Sequence, residues 1–321
     1  MNPRALLGMA LAALWLVPLN GVAGSLRSDV LFLLPAESGE VAFLDVQALR
    51  SSPHYFLLKQ RLLPPRFSNF EQFLRSLGVD VDQDLEWLAW AYVRPSPDRP
   101  EELFLGLAQG EFTPEKVQQA FVQKKLPLEA YRGQTLFPFG GRAGDQDLFF
   151  TFLDSSTAAF GTRASLELLL ETRYGGHENL LHNEILLEHL NEVNGHAPIW
   201  AVLDDHYTRL AVHQLIPETA KFEEFTRVAE RLRSSLLRLS LNREMSLNFQ
   251  AWCAQPIDAQ AFSLLLQTGL VAQSWQVQKS NPTLSSILGH VEVNTAGDRL
   301  ELRVAIEERD LRALLEPRPL P

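Results

Sequence analysis

The segment "HVEVNTAGDRLELRVAI" (His290–Ile306) restricts the fold more than any other in this chain. Leu300, Leu302, Val304 and Ile306 alternate with Glu301, Arg303 and Ala305, so one face is buried and the other wet. "HVEVN" precedes this strand across Thr295-Ala296-Gly297-Asp298, a hairpin connection. The same grammar recurs upstream. "EWLAWAYV" (Glu86–Val93) and "ELFLGLAQG" (Glu102–Gly110) flank the proline-rich "RPSPDRPE". "DLFFTFLD" and "TAAFG" flank Ser155 and Ser156, and "LLRLSL" and "MSLNFQAW" flank Asn242-Arg243-Glu244. "EVAFLDV" (Glu40–Val46) is a further short strand.

Helices are expected between these hairpins. Gln47 to Leu62 reads as helical, with Pro53 interrupting its start. "NFEQFLRSLG" places Phe70, Phe73, Leu74 and Leu77 on one face, with Gly78 just past the end. "TPEKVQQAFVQ" has Thr113 as N-cap, Pro114 in the first turn and Glu115 near the positive end of the dipole. "RASLELLLETR" is a short apolar helix. Glu218 to Arg233 carries Phe222, Phe225, Ala229 and Leu232 at helical spacing, and Asp258 opens "DAQAFSLLLQTGL". Glu308 to Leu315 closes the series before "EPRPLP". Antiparallel hairpins with intervening helices predict an α+β fold, antiparallel sheets with helices packed on them.

Two halves are expected to repeat one another. "VAFLDVQALR" (Val41–Arg50) aligns without gaps on "WAVLDDHYTR" (Trp200–Arg209), with Ala, Leu, Asp and Arg coinciding. In each, a strand leads to an Asp (Asp45, Asp204) where a helix needs its N-cap. The predicted organisation is a signal peptide over 1–24, a first α+β repeat over 25–196, a second over 197–316 and a proline-rich tail over 317–321.

Residues 1–24 carry an address. Arg4 precedes a short apolar run from Ala5 to Val17, Pro18 ends it, and small residues follow in "NGVAGS". Export with cleavage near Ala23-Gly24 is expected, to a periplasmic or secreted location. An uncleaved anchor is the alternative, although the run is shorter than the roughly 20 residues a spanning helix needs. No later segment is long and apolar enough to span a bilayer. Cys253 is the only cysteine, so an exported chain would hold together without an internal disulfide. It is in phase with Leu247, Phe249 and Ala251, which predicts a buried thiol on a strand. The formal charge of −10 makes nucleic acid an unsuitable partner.

"LPAESGEVAFLDVQALRSSP", "FLRSLGVDVDQDLEWLAWA", "GEFTPEKVQQAF", "AYRGQTLF" and "FLDSSTAAFGTRASLELLLE" together resemble an uncharacterised family of exported bacterial proteins. The similarity lies in element order and turn residues from about Leu34 to Leu315. It implies export and an α+β architecture of two repeats. The family has no established activity, so no functional residue is carried over.

Chemistry has one conspicuous candidate. "HENLLHNEILLEHLNEVNGH" (His177–His196) holds four histidines, and six of the chain's eight lie between His177 and His213. A zincin helix requires H-E-x-x-H, with both rings on one face. Here the spacing from His177 to His182 is five, which turns the rings roughly 140° apart. Other candidates for a metal are His182 with His189 and Glu178, or His206 with His213. Against them, Asn183 reads as an N-cap that leaves His182 outside the helix, and His189 falls among Ile185, Leu186 and Val193 on the apolar side. Asp80, Asp82 and Asp84 alternate as in a calcium loop, but Leu85 and Ala91 stand where such a loop needs Gly and Glu, so a capped turn is expected. No nucleophile elbow, P-loop or dinucleotide fingerprint is present, and "FGGRAG" (Phe139–Gly144) reads as a loop. No cofactor and no catalytic residue are predicted.

The expected function is a non-enzymatic binding module of the cell envelope, its partner an envelope protein. Phe67, Phe70, Phe73, Phe222 and Phe225 motivate an alternative, a carrier holding a lipid or other hydrophobic ligand between helices and sheet. A metal-dependent hydrolase using residues 177–213 is the third reading.

Overall fold

The computed structural model describes residues 25–26, 28–50, 71–72, 74–76, 80–94, 102–139, 148–215, 223–241, 245–307 and 309–310. It is a mixed α+β fold with extensive antiparallel sheet, divided into two compact units. The first holds described residues 25–47 and 71–196, the second 48–50 and 197–310.

The first unit contains β1 (Ser38–Asp45), β2 (Leu85–Val93), β3 (Leu103–Gly110), β4 (Glu129–Tyr131), β5 (Gln134–Phe139), β6 (Leu148–Phe152) and β7 (Thr157–Thr162). Their spatial order is β1-β2-β3-β7-β6-β5-β4, antiparallel throughout. Helices in this part of the chain are α1 (Ser28–Leu31), α2 (Val46–Arg50), α3 (Val81–Asp84), α4 (Pro114–Gln123), α5 (Arg163–Arg173) and α6 (Glu184–Val193). Every residue of β1 is buried, as is every residue of β2 except Glu86. Central strands covered on both faces read as continuous apolar runs, which is why "EWLAWAYV" lacks a polar alternate. Val117 and Phe121 dock α4, and Phe121 meets Phe137 at 4.9 Å between centroids. Phe137 in turn stacks on Phe150 at 5.0 Å. These rings pack edge-to-face and stacked against one another in the core.

The second unit contains β8 (Ile199–Leu203), β9 (Leu232–Leu241), β10 (Met245–Cys253), β11 (Glu292–Ala296) and β12 (Arg299–Ile306), in the order β8-β9-β10-β12-β11. Its helices are α7 (Asp205–Leu215), α8 (Glu223–Ala229), α9 (Pro256–Val277) and α10 (Pro282–Gly289). Odd positions of β10 and even positions of β12 face one core, where Phe249, Ala251, Cys253, Leu300 and Leu302 meet Phe225, Phe262 and Leu266. In each unit three successive strands lie side by side, a helix led by proline (Pro114, Pro256) follows the third, and the last strand returns beside that third strand.

Several elements differ from expectation. The helix predicted over Glu218–Arg233 is α8, which ends at Ala229; residues 218–222 lie outside the described ones. Leu232 instead opens β9, opposite Cys253. Phe225, Ala229 and Leu232 share one core, so their spacing satisfied a helical stripe although the last of them enters as a strand residue. Helix α9 starts at Pro256, with Gln255 and not Asp258 before its first turn, and runs on to Val277. Thr113 occupies the N-cap of α4 but its side chain makes no capping hydrogen bond. The β4–β5 hairpin and α10 were not foreseen. Its turn, Arg132-Gly133, has φ of 47° and 81°, the two left-handed residues of a type I′ connection. The predicted helices at Gln47–Leu62 and Glu308–Leu315 fall mostly outside the described residues, as do Phe67, Phe70, Phe73, Phe222 and most of "FGGRAG". No helix among the described residues is long and apolar enough to cross a membrane.

Candidate functional site

The histidine-rich stretch lies in the first unit up to His196, and its asparagines carry the geometry. Asn179 accepts from the Leu181 amide at 3.1 Å and opens a single 3-10 turn, Leu180–His182. Asn183 caps α6 by accepting from the Leu186 amide at 3.1 Å. Its Nδ2 donates to the carbonyls of Ala36 (2.9 Å) and Ser38 (3.1 Å). Asn194 grips Leu26 from both sides, donating to its carbonyl at 2.8 Å and accepting from its amide at 2.7 Å. The segment therefore fastens residues 26–38 to α6.

The histidines go separate ways. His177 Nε2 lies 2.8 Å from Glu37 Oε2. His182 is exposed, its Nδ1 3.3 Å from the Asn179 carbonyl, and Glu178 is exposed too. His189 is 3 % exposed on the inner face of α6 with Leu186, Leu190 and Val193. Ile185, expected beside it, faces out at 52 % exposure, one position too far round the helix. Burial holds the His189 pKa below its ordinary value, against the opposing pull of Glu192 and Glu188. His206 sits edge-on to Tyr207, and His213 edge-on to Phe225. Among the described residues no three His, Cys, Asp or Glu side chains gather to hold a metal.

The aspartates of residues 80–84 serve a helix start. Asp80 accepts from the Asp82 amide and the Asp84 carboxylate accepts from the Asp80 amide, both at 3.0 Å. Asp82 pairs with Arg75. Cys253 is buried, and desolvation pushes its thiol up to about 12, with Asp258 and Asp298 adding to the shift. A thiol held protonated at neutral pH is no nucleophile.

A site that the sequence reading missed lies in the second unit, at the edge of its sheet. Strand β11 begins only at Glu292, opposite Arg303. Val304–Ile306 of β12 consequently have β10 on one side and, among the described residues, no strand on the other. A cleft of about 720 Å³ opens there, lined by Asn248, Ile287, His290, Arg303 and Ala305 among others. Within the wet face of β10 and β12, Glu301 Oε1 accepts from Asn248 Nδ2 (2.5 Å), Arg303 Nε (2.9 Å) and Gln250 Nε2 (3.1 Å). Burial pushes the Glu301 pKa up, but these hydrogen bonds outweigh it and hold the carboxylate below its usual range. With both amide nitrogens committed to Glu301, Asn248 Oδ1 and Gln250 Oε1 are buried and have no donor among the described residues. Period-two alternation marked this face as wet, but a cleft bounded by a strand that stops short has no local signature.

Compared with known protein families, with curated proteins and with solved structures, the chain matches none.

Proposed function

We propose that the chain is an exported, non-enzymatic binding module of the cell envelope that receives an extended segment of another protein at the open edge of β12. The carrying observation is the cleft beside Val304–Ile306, where among the described residues no strand pairs with the outer edge of β12. A peptide main chain supplies N–H donors and pairs with an edge strand by β-augmentation. At the rim Arg309 pairs with Glu307 at 3.0 Å and Arg303 with Glu301 at 2.9 Å, while Glu292 and Asp310 add further carboxylates. Such a rim disfavours an anionic segment. The signal-like residues 1–24 and the resemblance to an exported family support the location. The parallel strand orders of the two units support their origin as repeats of one α+β motif.

A photo-crosslinking residue in place of the exposed Ala305 tests the reading in protein recovered from its own envelope. Crosslinks to another envelope protein are expected. Crosslinks confined to lipid would move the chain to the carrier class, and stoichiometric zinc in the recovered protein would make it a metal site. N-terminal sequencing of that protein checks export, with a start near Ser25 expected.

A further inference from the structure

Helix α9 has an apolar face that stands exposed. Ile257, Leu264, Val271 and Trp275 are 63, 66, 54 and 74 % exposed. They recur at intervals of seven, seven and four, which places them within about 40° of one line along the helix. Ala261, Thr268 and Ala272 lie between them on the same side. The inner side of the helix is accounted for, since Ala259, Phe262 and Leu266 are buried in the second unit's core. The four large side chains alone expose on the order of 500 Å² of apolar surface, the size of the largest patch on a typical monomer and commonly a functional one.

We infer that this stripe is the interface of a homodimer in which two copies of α9 pair antiparallel across a two-fold axis. Three observations select that occupant. From Ala259 to Gln278 the helix carries no charged residue, so two stripes meet without like-charge repulsion in a chain of net charge −10. Its end groups are complementary: Asp258 flanks the stripe in the first turn, and Lys279 follows the last. An antiparallel pair brings the acidic Asp258 end of each copy to the Lys279 end of the other and opposes the two helix dipoles, whereas a parallel pair would bring like ends together. Antiparallel pairing also sets Ile257 against Trp275 and Leu264 against Thr268 about one centre. With the flanking glutamines included, the covered area approaches the roughly 800 Å² per partner of a standard interface. A bilayer surface is a poorer occupant, because helices that lie on membranes carry Lys and Arg on their polar face and α9 has neither.

Sedimentation of the mature full-length chain tests the inference. Monomer and dimer are expected to exchange over about 1–100 μM. Leu264→Glu, at a position already 66 % exposed, should raise the dissociation constant at least tenfold while leaving the circular dichroism and, at concentrations where the wild type is monomeric, the thermal midpoint unchanged. Asp258→Lys should weaken association and the double variant Asp258→Lys/Lys279→Asp should restore it, as only the antiparallel arrangement requires. A chain that stays monomeric to 100 μM overturns the inference, as does a dimer indifferent to Leu264→Glu. Binding to phosphatidylcholine vesicles that Leu264→Glu abolishes, in a monomeric chain, would assign the stripe to lipid and equally overturn it.

Discussion

His189 shows how one residue type takes its meaning from its surroundings. Within a stretch dense in histidine it is the one buried in the α6 core, and burial holds its pKa below the ordinary value. The unfolded chain, with His189 near about 6.5, binds its proton more readily than the folded one. The stability this burial contributes is fully present above that pH and is lost as pH falls through the depressed folded value. Urea unfolding of His189→Leu between pH 7.5 and 5 should therefore show a shallower loss of stability with acid than the wild type. Gly106 offers a second test at this scale. A Cβ there would stand 2.2–2.6 Å from three ring atoms of Phe160, its cross-strand neighbour in β7. Gly106→Ala should cost about 1–3 kcal/mol in chemical denaturation, because a ring packed between strands has little room to retreat.

At the scale of elements, the β4–β5 hairpin depends on α5. Glu171 of α5 accepts from the Tyr131 hydroxyl and takes Arg132 in a bidentate pair at 2.7 and 2.6 Å. Arg163 of the same helix pairs with Glu129. The hydrogen bonds from Tyr131, then Arg132, hold the Glu171 carboxyl below its ordinary value. A depressed folded pKa gives stability that is present above the unfolded pKa and disappears as pH drops through the folded one. Protection factors for hydrogen exchange at β4 and β5, corrected for the intrinsic rate at each pH, should fall below about pH 4.5 in the wild type. Glu171→Gln should have low protection factors at neutral pH already, with little further change on acidification. The three-residue β4 was illegible in the sequence, being too short to display a period; Arg-Gly at 132–133 was the available signal. By contrast β12 and α5 were legible to within a residue, since β12 alternates over its full length and the bounds of α5 coincide with the apolar run that announces it.

For the molecule as a whole, cohesion comes from packing and hydrogen bonds. Cys253 is the sole cysteine and lies in a core with its thiol pushed up to about 12. Thermal midpoints with and without reductant should agree, and iodoacetamide should label Cys253 only once the chain unfolds. Early modification of the native protein would mean that the second unit opens locally at little cost.

Local chemistry alone determined the α+β class, the N-caps at Asn183 and Asp204, and the place of Cys253 on an inner strand face. These features repeat or terminate within a few residues, so a short window of sequence contains them. Only the tertiary structure decided which strands are neighbours: β7 beside β3, β12 beside β10, and β11 stopping short to leave an edge open. It also decided that one apolar side of α9 is buried while the other faces out. Both outcomes depend on contacts between residues tens of positions apart, and a hydrophobic side chain is written with the same letter whether or not such a contact covers it.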